Sequence, residues 1–249
     1  MAGLVLLANS WYNAFTLKRC PETTGFDGGY DTMDKLRLRF AKTGRAIYIS
    51  HLDLMAVMQR AFARADLPLK FSEGFNPHPQ ISILLPLSVG TASVCELMDF
   101  RLREDRDLKT LPERLTAVLP DGIKALEAYE SERKSAQLKW LEIEGLFEYD
   151  SVRPEADALE AFFRQPELVI ERKTKRGFGQ TDIRPAIQRI AFTDADEGLR
   201  LQARISAQEP TLNPDHLVSA LRQLAPELAP DFAKFTRLET YDADGKVYR

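Results

Sequence analysis

The spacing of hydrophobic and polar positions changes several times along the chain, and each change marks an element. Leu36, Leu38 and Phe40 alternate with Arg37 and Arg39, the two-residue period of a half-buried strand whose arginines face solvent. A turn around Gly44 follows, and Ile47, Tyr48 and Ile49 extend toward Ser50. The next apolar set, Leu54, Met55, Met58, Ala61, Phe62 and Ala65, recurs at helical spacing and predicts a helix from about His51 to Ala65. Ser50 stands where an N-cap belongs, and Asp53 three residues on makes a near match to a capping box. Leu67-Pro68 ends that helix and opens a polar loop, FSEGFNPHPQ. Strands are predicted over 81–85 and 94–102, a helix over 108–119 stopped by Pro120-Asp121-Gly122, and a strand over 123–129.

Residues 130–135 are charged and poor in apolar side chains, which suits a linker. Beyond it the order recurs: a strand over 138–149, a helix over 154–164 with proline at its start, and a strand over 168–173. The turn KRGFGQ leads into TDIRPAIQRIAF, read as a strand or a short irregular segment. A strand over 199–206, a helix from Asn213-Pro214 to about Leu224 and a strand over 235–241 complete the series. The first series has the order β-α-β-β-α-β and the second a less regular version of it, so the expected fold is α+β, with tandem ferredoxin-like domains and antiparallel sheets over 33–130 and 136–249, against one α+β domain with a long sheet. Residues 1–32 are turn-rich and weakly periodic; they read as a disordered extension or a misassigned start, with Met33 as the natural one, against a tail that docks through Trp11, Tyr12 and Phe15.

The chain has 249 residues, 44% hydrophobic and 29% charged, with net charge −3, so any basic binding surface is local. Its two cysteines, Cys20 and Cys95, form no disulfide framework and fit reduced thiols in the cytoplasm. The three histidines, His51, His78 and His216, lie far apart, so no metal-ligand spacing exists. No apolar run approaches the about 20 residues a membrane helix needs, which argues for a protein with no membrane partner.

Three long and unusual runs then carry a resemblance: RLRFAKTGRAIYISHLDLM, LPLKFSEGFNPHPQIS, and LPLSVGTAS with Glu96. Later pieces agree with them, TKRGFGQTDIRPAI and TLNPDHL leading to Arg237. Together they resemble the uncharacterised radical-SAM-linked family over about Met33 to Tyr241. The resemblance implies a context: such proteins are encoded beside, or fused to, a radical SAM protein. It implies no chemistry. Radical SAM enzymes hold their iron–sulfur cluster through a C-x-x-x-C-x-x-C run, which two distant cysteines do not supply. The implied arrangement is that this chain binds no cofactor, while the cluster and S-adenosylmethionine sit on a separate radical SAM partner.

Four features are candidates for binding or chemistry. Basic density comes first: Arg39, Lys42, Arg45 and Lys70 in one region, and Lys173, Lys175 and Arg176 in another, interleaved with Phe75 and Phe178. Cationic clusters with exposed aromatics neutralise phosphates and stack on unpaired bases; the competing reading is solvated strand and turn surface. His51 in the first helical turn is a candidate general base, or a packed histidine. The loop residues Glu73, Gly74, Phe75, Asn76 and His78 crowd an acid, an amide and an imidazole into a proline-braced segment suited to a ligand or a partner. Gly177 and Gly179 around Phe178 match no phosphate-loop spacing.

The expected function is an accessory RNA-binding, substrate-presenting module, for tRNA or rRNA, that works with a radical SAM enzyme in RNA modification and is not itself a catalyst. Two others stand beside it: a metal-independent RNA endonuclease resembling CRISPR repeat-processing nucleases, with His51 at its centre, and a protein-interaction scaffold without RNA contact.

Overall fold

The computed structural model describes residues 35–174 and 177–249. The expected extension over 1–32 lies outside the described residues, as do Lys175 and Arg176. The first half comprises β1 (Leu36–Lys42), α1 (His51–Arg64), β2 (Ile81–Ile83), β3 (Ala92–Phe100), α2 (Leu111–Thr116) and β4 (Ile123–Glu130). The second comprises β5 (Trp140–Glu148), α3 (Ala156–Phe163), β6 (Val169–Thr174), β7 (Gly177–Asp182), β8 (Ile187–Ala195), β9 (Gly198–Ser206), α4 (Asp215–Leu224) and β10 (Phe232–Tyr241). One eight-stranded sheet runs β4-β1-β3-β10-β5-β9-β8, with β2 also paired to β3. Its neighbours are antiparallel except β10 and β3, which meet in parallel at Thr236–Ala92 and Arg237–Ser93 and so join the halves. The fold is mixed α+β with mostly antiparallel strands.

The two halves have matching strand orders, β4-β1-β3-β2 and β10-β5-β9-β8. Each has its own apolar core. In the first, Leu54, Met58, Ala61 and Phe62 of α1 lie against Leu38, Phe40, Met98 and Phe100, with the Phe62 and Phe100 rings 5.1 Å apart. The Ser50 hydroxyl accepts the Asp53 N–H at 3.2 Å, so the cap read from the sequence starts this helix. In the second, Leu217, Val218, Ala220 and Leu221 of α4 and Leu159, Phe162 and Phe163 of α3 cover Leu141, Ile143 and Phe147. Leu97 of β3 packs with this second core, so β3 serves both halves.

Three local expectations are corrected. Residues 44–48 form a 3-10 turn in place of an extension; Gly44 turns the chain at φ +55°, and the Lys42 ammonium gathers the Ile47 and Ile49 carbonyls. The segment over 168–173 does not join the main sheet. It pairs with β7 as a separate two-stranded hairpin inserted between α3 and β8. Asp182 closes this hairpin, its Oδ1 accepting from the N–H groups of Leu168 and Arg184, and Pro185 then breaks the strand run before β8. Finally, Arg37 does not face solvent, and Arg39 is half-buried. The residues after β10 fold back so that the Tyr248 ring lies beside both Arg37 and Arg133, 5.1 and 4.6 Å from their guanidinium carbons. Arg37 is buried there, held by Asp99 at 2.6 Å and by the Arg133 carbonyl at 2.9 Å.

Gly122 follows α2 at φ +86°, with its carbonyl accepting the Thr43 N–H at 2.7 Å. A Cβ there would stand 2.3 Å from the Thr43 carbonyl oxygen. Gly122→Ala is expected to cost more than about 1 kcal/mol of stability, read from the urea midpoint, because both backbone strain and contact oppose it.

Candidate functional site

Three places concentrate polar or exposed groups, and the seam between the halves is the most enclosed. Ser93 of β3 faces Lys42 of β1 on one side and Arg237 of β10 on the other. Arg237 is 7% exposed and donates through Nη1 to the Leu85 carbonyl at 2.9 Å and to Glu96 Oε1 at 2.8 Å. Glu96 is 1% exposed, and its Oε2 has no hydrogen-bond partner among the described residues. Lys42, also 1% exposed, donates to the carbonyls of Ile47 and Ile49 at 3.2 and 2.8 Å. Burial lowers its pKa from the ordinary lysine value, and the Glu96 charge partly opposes that. Lys42 is therefore withdrawn as a phosphate contact: its ammonium is spent inside the fold.

Beside this cluster a cavity of about 110 Å³ opens between the segments 85–91 and 211–214. Asn213 donates to the Ser88 hydroxyl across it at 2.9 Å. Leu141 and Ile143 form apolar wall, and Arg237 lies at the polar side. The segments that carried the resemblance, LPLSVGTAS with Glu96 and TLNP with Arg237, thus meet at one place. Sequence reasoning did not single out this pair as a site. A signal was present: Glu96 stands in the apolar run Val94-Cys95-Glu96-Leu97-Met98, where a charge is rare unless paired.

Cys95 adjoins the cluster, its sulfur 3.8 Å from the Arg237 carbonyl oxygen. Burial pushes its thiol up to about 12 from 9.0. With the folded value raised, this group's share of stability is intact below pH 9 and declines as pH rises toward 12. In a Cys20→Ser protein, Ellman's reagent at pH 8 should leave Cys95 unmodified until denaturant is added. Rapid reaction of the folded protein would show that the thiol is accessible.

The second place is the loop over 71–79. Phe71 and Pro79 bridge its base, and the Ser72 N–H donates to the His78 carbonyl at 2.8 Å. The Ser72 hydroxyl accepts the His78 N–H at 3.1 Å and lies 3.0 Å from His78 Nδ1. His78 thus braces the loop, and Gly74 at φ +116° turns its tip. Glu73, Asn76 and His78 are exposed, and the Phe75 ring is fully so. Arg103 covers the Phe71 ring at 5.3 Å. Lys70 stands at the loop's base, half-buried.

The third place is the β6–β7 hairpin. Phe178 is exposed on β7 and pairs across from Lys173. The remaining candidates are scattered. Arg45 is exposed on the 3-10 turn beside the exposed Tyr48, whereas Arg39 is half-buried and 3.7 Å from Glu239. His51 is half-exposed at the start of α1 and forms no hydrogen bond or ion pair with a side chain among the described residues. Among the described residues no group of three or more His, Cys, Asp or Glu side chains could hold a metal ion. No helix of the described residues is long and apolar enough to cross a membrane.

The fold defines an α+β protein built on one long, mostly antiparallel sheet with a buried ionic seam. The chain belongs to the family described as "Uncharacterized protein conserved in bacteria (DUF2344)", which matches residues 35–214. No curated protein matches it. Among solved structures it is similar to a chain of the "Crystal Structure of a Cbf5-Nop10-Gar1 Complex", at 10% identity and a TM-score of 0.47, covering 84% of this chain and 49% of that one. It thus spans about half the length of that neighbour. It is also similar to an unknown protein from Galdieria sulphuraria, at 12% identity and a TM-score of 0.24, covering 82% of this chain and 98% of that one.

Proposed function

We propose that the protein is a non-catalytic RNA-binding module that presents RNA to a separate radical SAM enzyme. The carrying observation is the pair of hairpins, the 71–79 loop and β6–β7, each with an exposed phenylalanine and basic residues close in sequence or register. Exposed aromatic rings stack on unpaired bases whatever their identity, while cationic groups hold the backbone. Rigidity of the 71–79 loop supports the reading, because a braced loop loses little entropy on binding. In this reading each half is a ferredoxin-like unit. The matching 4-1-3-2 strand orders support that, with β6–β7 an insertion in the second. The partner and its iron–sulfur cluster and S-adenosylmethionine follow from the family resemblance, not from any group in this chain.

The test is purification from the native host at low salt, followed by sequencing of bound RNA and identification of co-purifying chains. RNA together with a radical SAM chain is the expected result. A radical SAM chain alone, with no RNA before or after nuclease treatment, would leave a protein scaffold as the function.

A further inference from the structure

We infer that the seam cavity beside Arg237 is a binding site for a small aliphatic monocarboxylic acid, separate from the RNA contacts proposed above. Arg237 is held from behind: Nη1 is occupied by the Leu85 carbonyl and Glu96 Oε1, which leaves Nε and Nη2 bonded to nothing among the described residues. The side chain nonetheless lines the cavity. A guanidinium fixed along one edge with its other N–H groups available is prepared for a carboxylate, the planar anion its geometry fits best.

Charge points the same way. Two buried cations, Lys42 and Arg237, face one buried carboxylate, Glu96. An entering anion would bring the set to two positive and two negative charges, the arrangement a low-dielectric interior favours.

The walls select the body of the ligand. Leu85, Leu141, Ile143 and Leu212 are aliphatic, which disfavours a phosphate or a dicarboxylate. A cavity near 150 Å³ accepts benzene, so about 110 Å³ takes roughly four or five non-hydrogen atoms, with any remainder in the mouth. Thr211 is exposed at that mouth. Sites of this kind, mostly apolar with one fixed charged group, recur where two structural units meet.

The test uses the full chain, 2-methylpropanoate as the probe, and its uncharged isostere 2-methylpropanamide as the control, with binding followed by saturation-transfer NMR and calorimetry. Saturable one-to-one binding of the acid is expected, with the amide at least about ten-fold weaker because one charge-assisted contact is lost. Arg237→Gln should remove the preference for the acid. Should that variant fail to fold, Thr211→Trp tests the same site from its exposed rim, and it should abolish binding of the acid while leaving the melting temperature of the free protein nearly unchanged. No saturable binding to the wild type up to about 10 mM overturns the site, since even one charge-assisted contact in an apolar slot should exceed that affinity. Equal binding of acid and amide, or undiminished binding to folded Thr211→Trp, overturns it too. Loss of RNA binding in the host experiment would leave this result untouched.

Discussion

Glu96→Ala is expected to remove about 3–5 kcal/mol of stability, the largest single-site effect outside the apolar cores. Among the described residues the carboxylate is the sole anion hydrogen-bonded to the Arg237 guanidinium, and it also stabilises the Lys42 ammonium. Its removal leaves two buried cations with carbonyl partners only. Water has little access to the Lys42 ammonium, which is 1% exposed, and reaches Arg237 only along the edge that lines the seam cavity. The position is also structurally expensive, since Arg237 secures β10 against β3 where the halves are joined by two register pairs. Against a total stability of about 5–15 kcal/mol for a typical domain, the variant should populate the unfolded state at physiological temperature. Urea denaturation checks this through the midpoint. Glu96→Gln provides the control: an amide oxygen still accepts from Nη1, so its loss should be smaller. Equal midpoints for Glu96→Ala and wild type would mean that the seam is hydrated and the ion pair adds nothing.

Phe75→Ala combined with Phe178→Ala should weaken RNA binding by at least about thirty-fold. Each exposed ring that stacks on a base contributes about 1–3 kcal/mol, and the two lie on different hairpins, so their losses should add. Neither ring supports the fold, since both point to solvent, and the melting temperature should stay within about a degree or two of wild type. The salt dependence should keep its slope, because stacking releases no counterions, whereas replacing Arg45, Lys173 and Lys175 should flatten it. Filter binding or fluorescence anisotropy with unstructured RNA at several salt concentrations separates these outcomes. Undiminished binding by the double variant would remove the stacking role and, with it, the observation that carries the functional reading.

Much of the architecture was legible in the pattern of apolar positions. The Ser50 cap, the apolar face of α1, the strand period around Phe40 and the start of α4 near Pro214 are local features, decided by side-chain period, capping and proline geometry within a few residues. The 168–182 region was misread because a strand's period does not say which sheet it joins. There the closing bonds of Asp182 and the turn at Pro185 decided the matter. Arg37 was misread for a related reason. Alternation shows which residues share a face, but not whether a distant tail ending in Tyr248 covers that face.

The candidate site divides along the same line. The 71–79 loop and the β6–β7 turn were visible because Gly, Pro, exposed aromatics and basic residues lie close together in the chain. Lys42 as a structural cation, the Glu96–Arg237 pair and the cavity between 85–91 and 211–214 were not. Glu96 and Arg237, and likewise Ser88 and Asn213 across the cavity, are separated by more than a hundred residues, and only the parallel meeting of β10 with β3 brings them together; Lys42 bonds the nearby Ile47 and Ile49 carbonyls, but its burial under the 3-10 turn is not written in the strand period. Sequence by itself determined the order, type and amphipathic faces of most elements, since those depend on short-range sterics and on the period of burial. Tertiary structure alone decided which charges left water, because desolvation and ion pairing depend on what lies across the seam and not on chain neighbours.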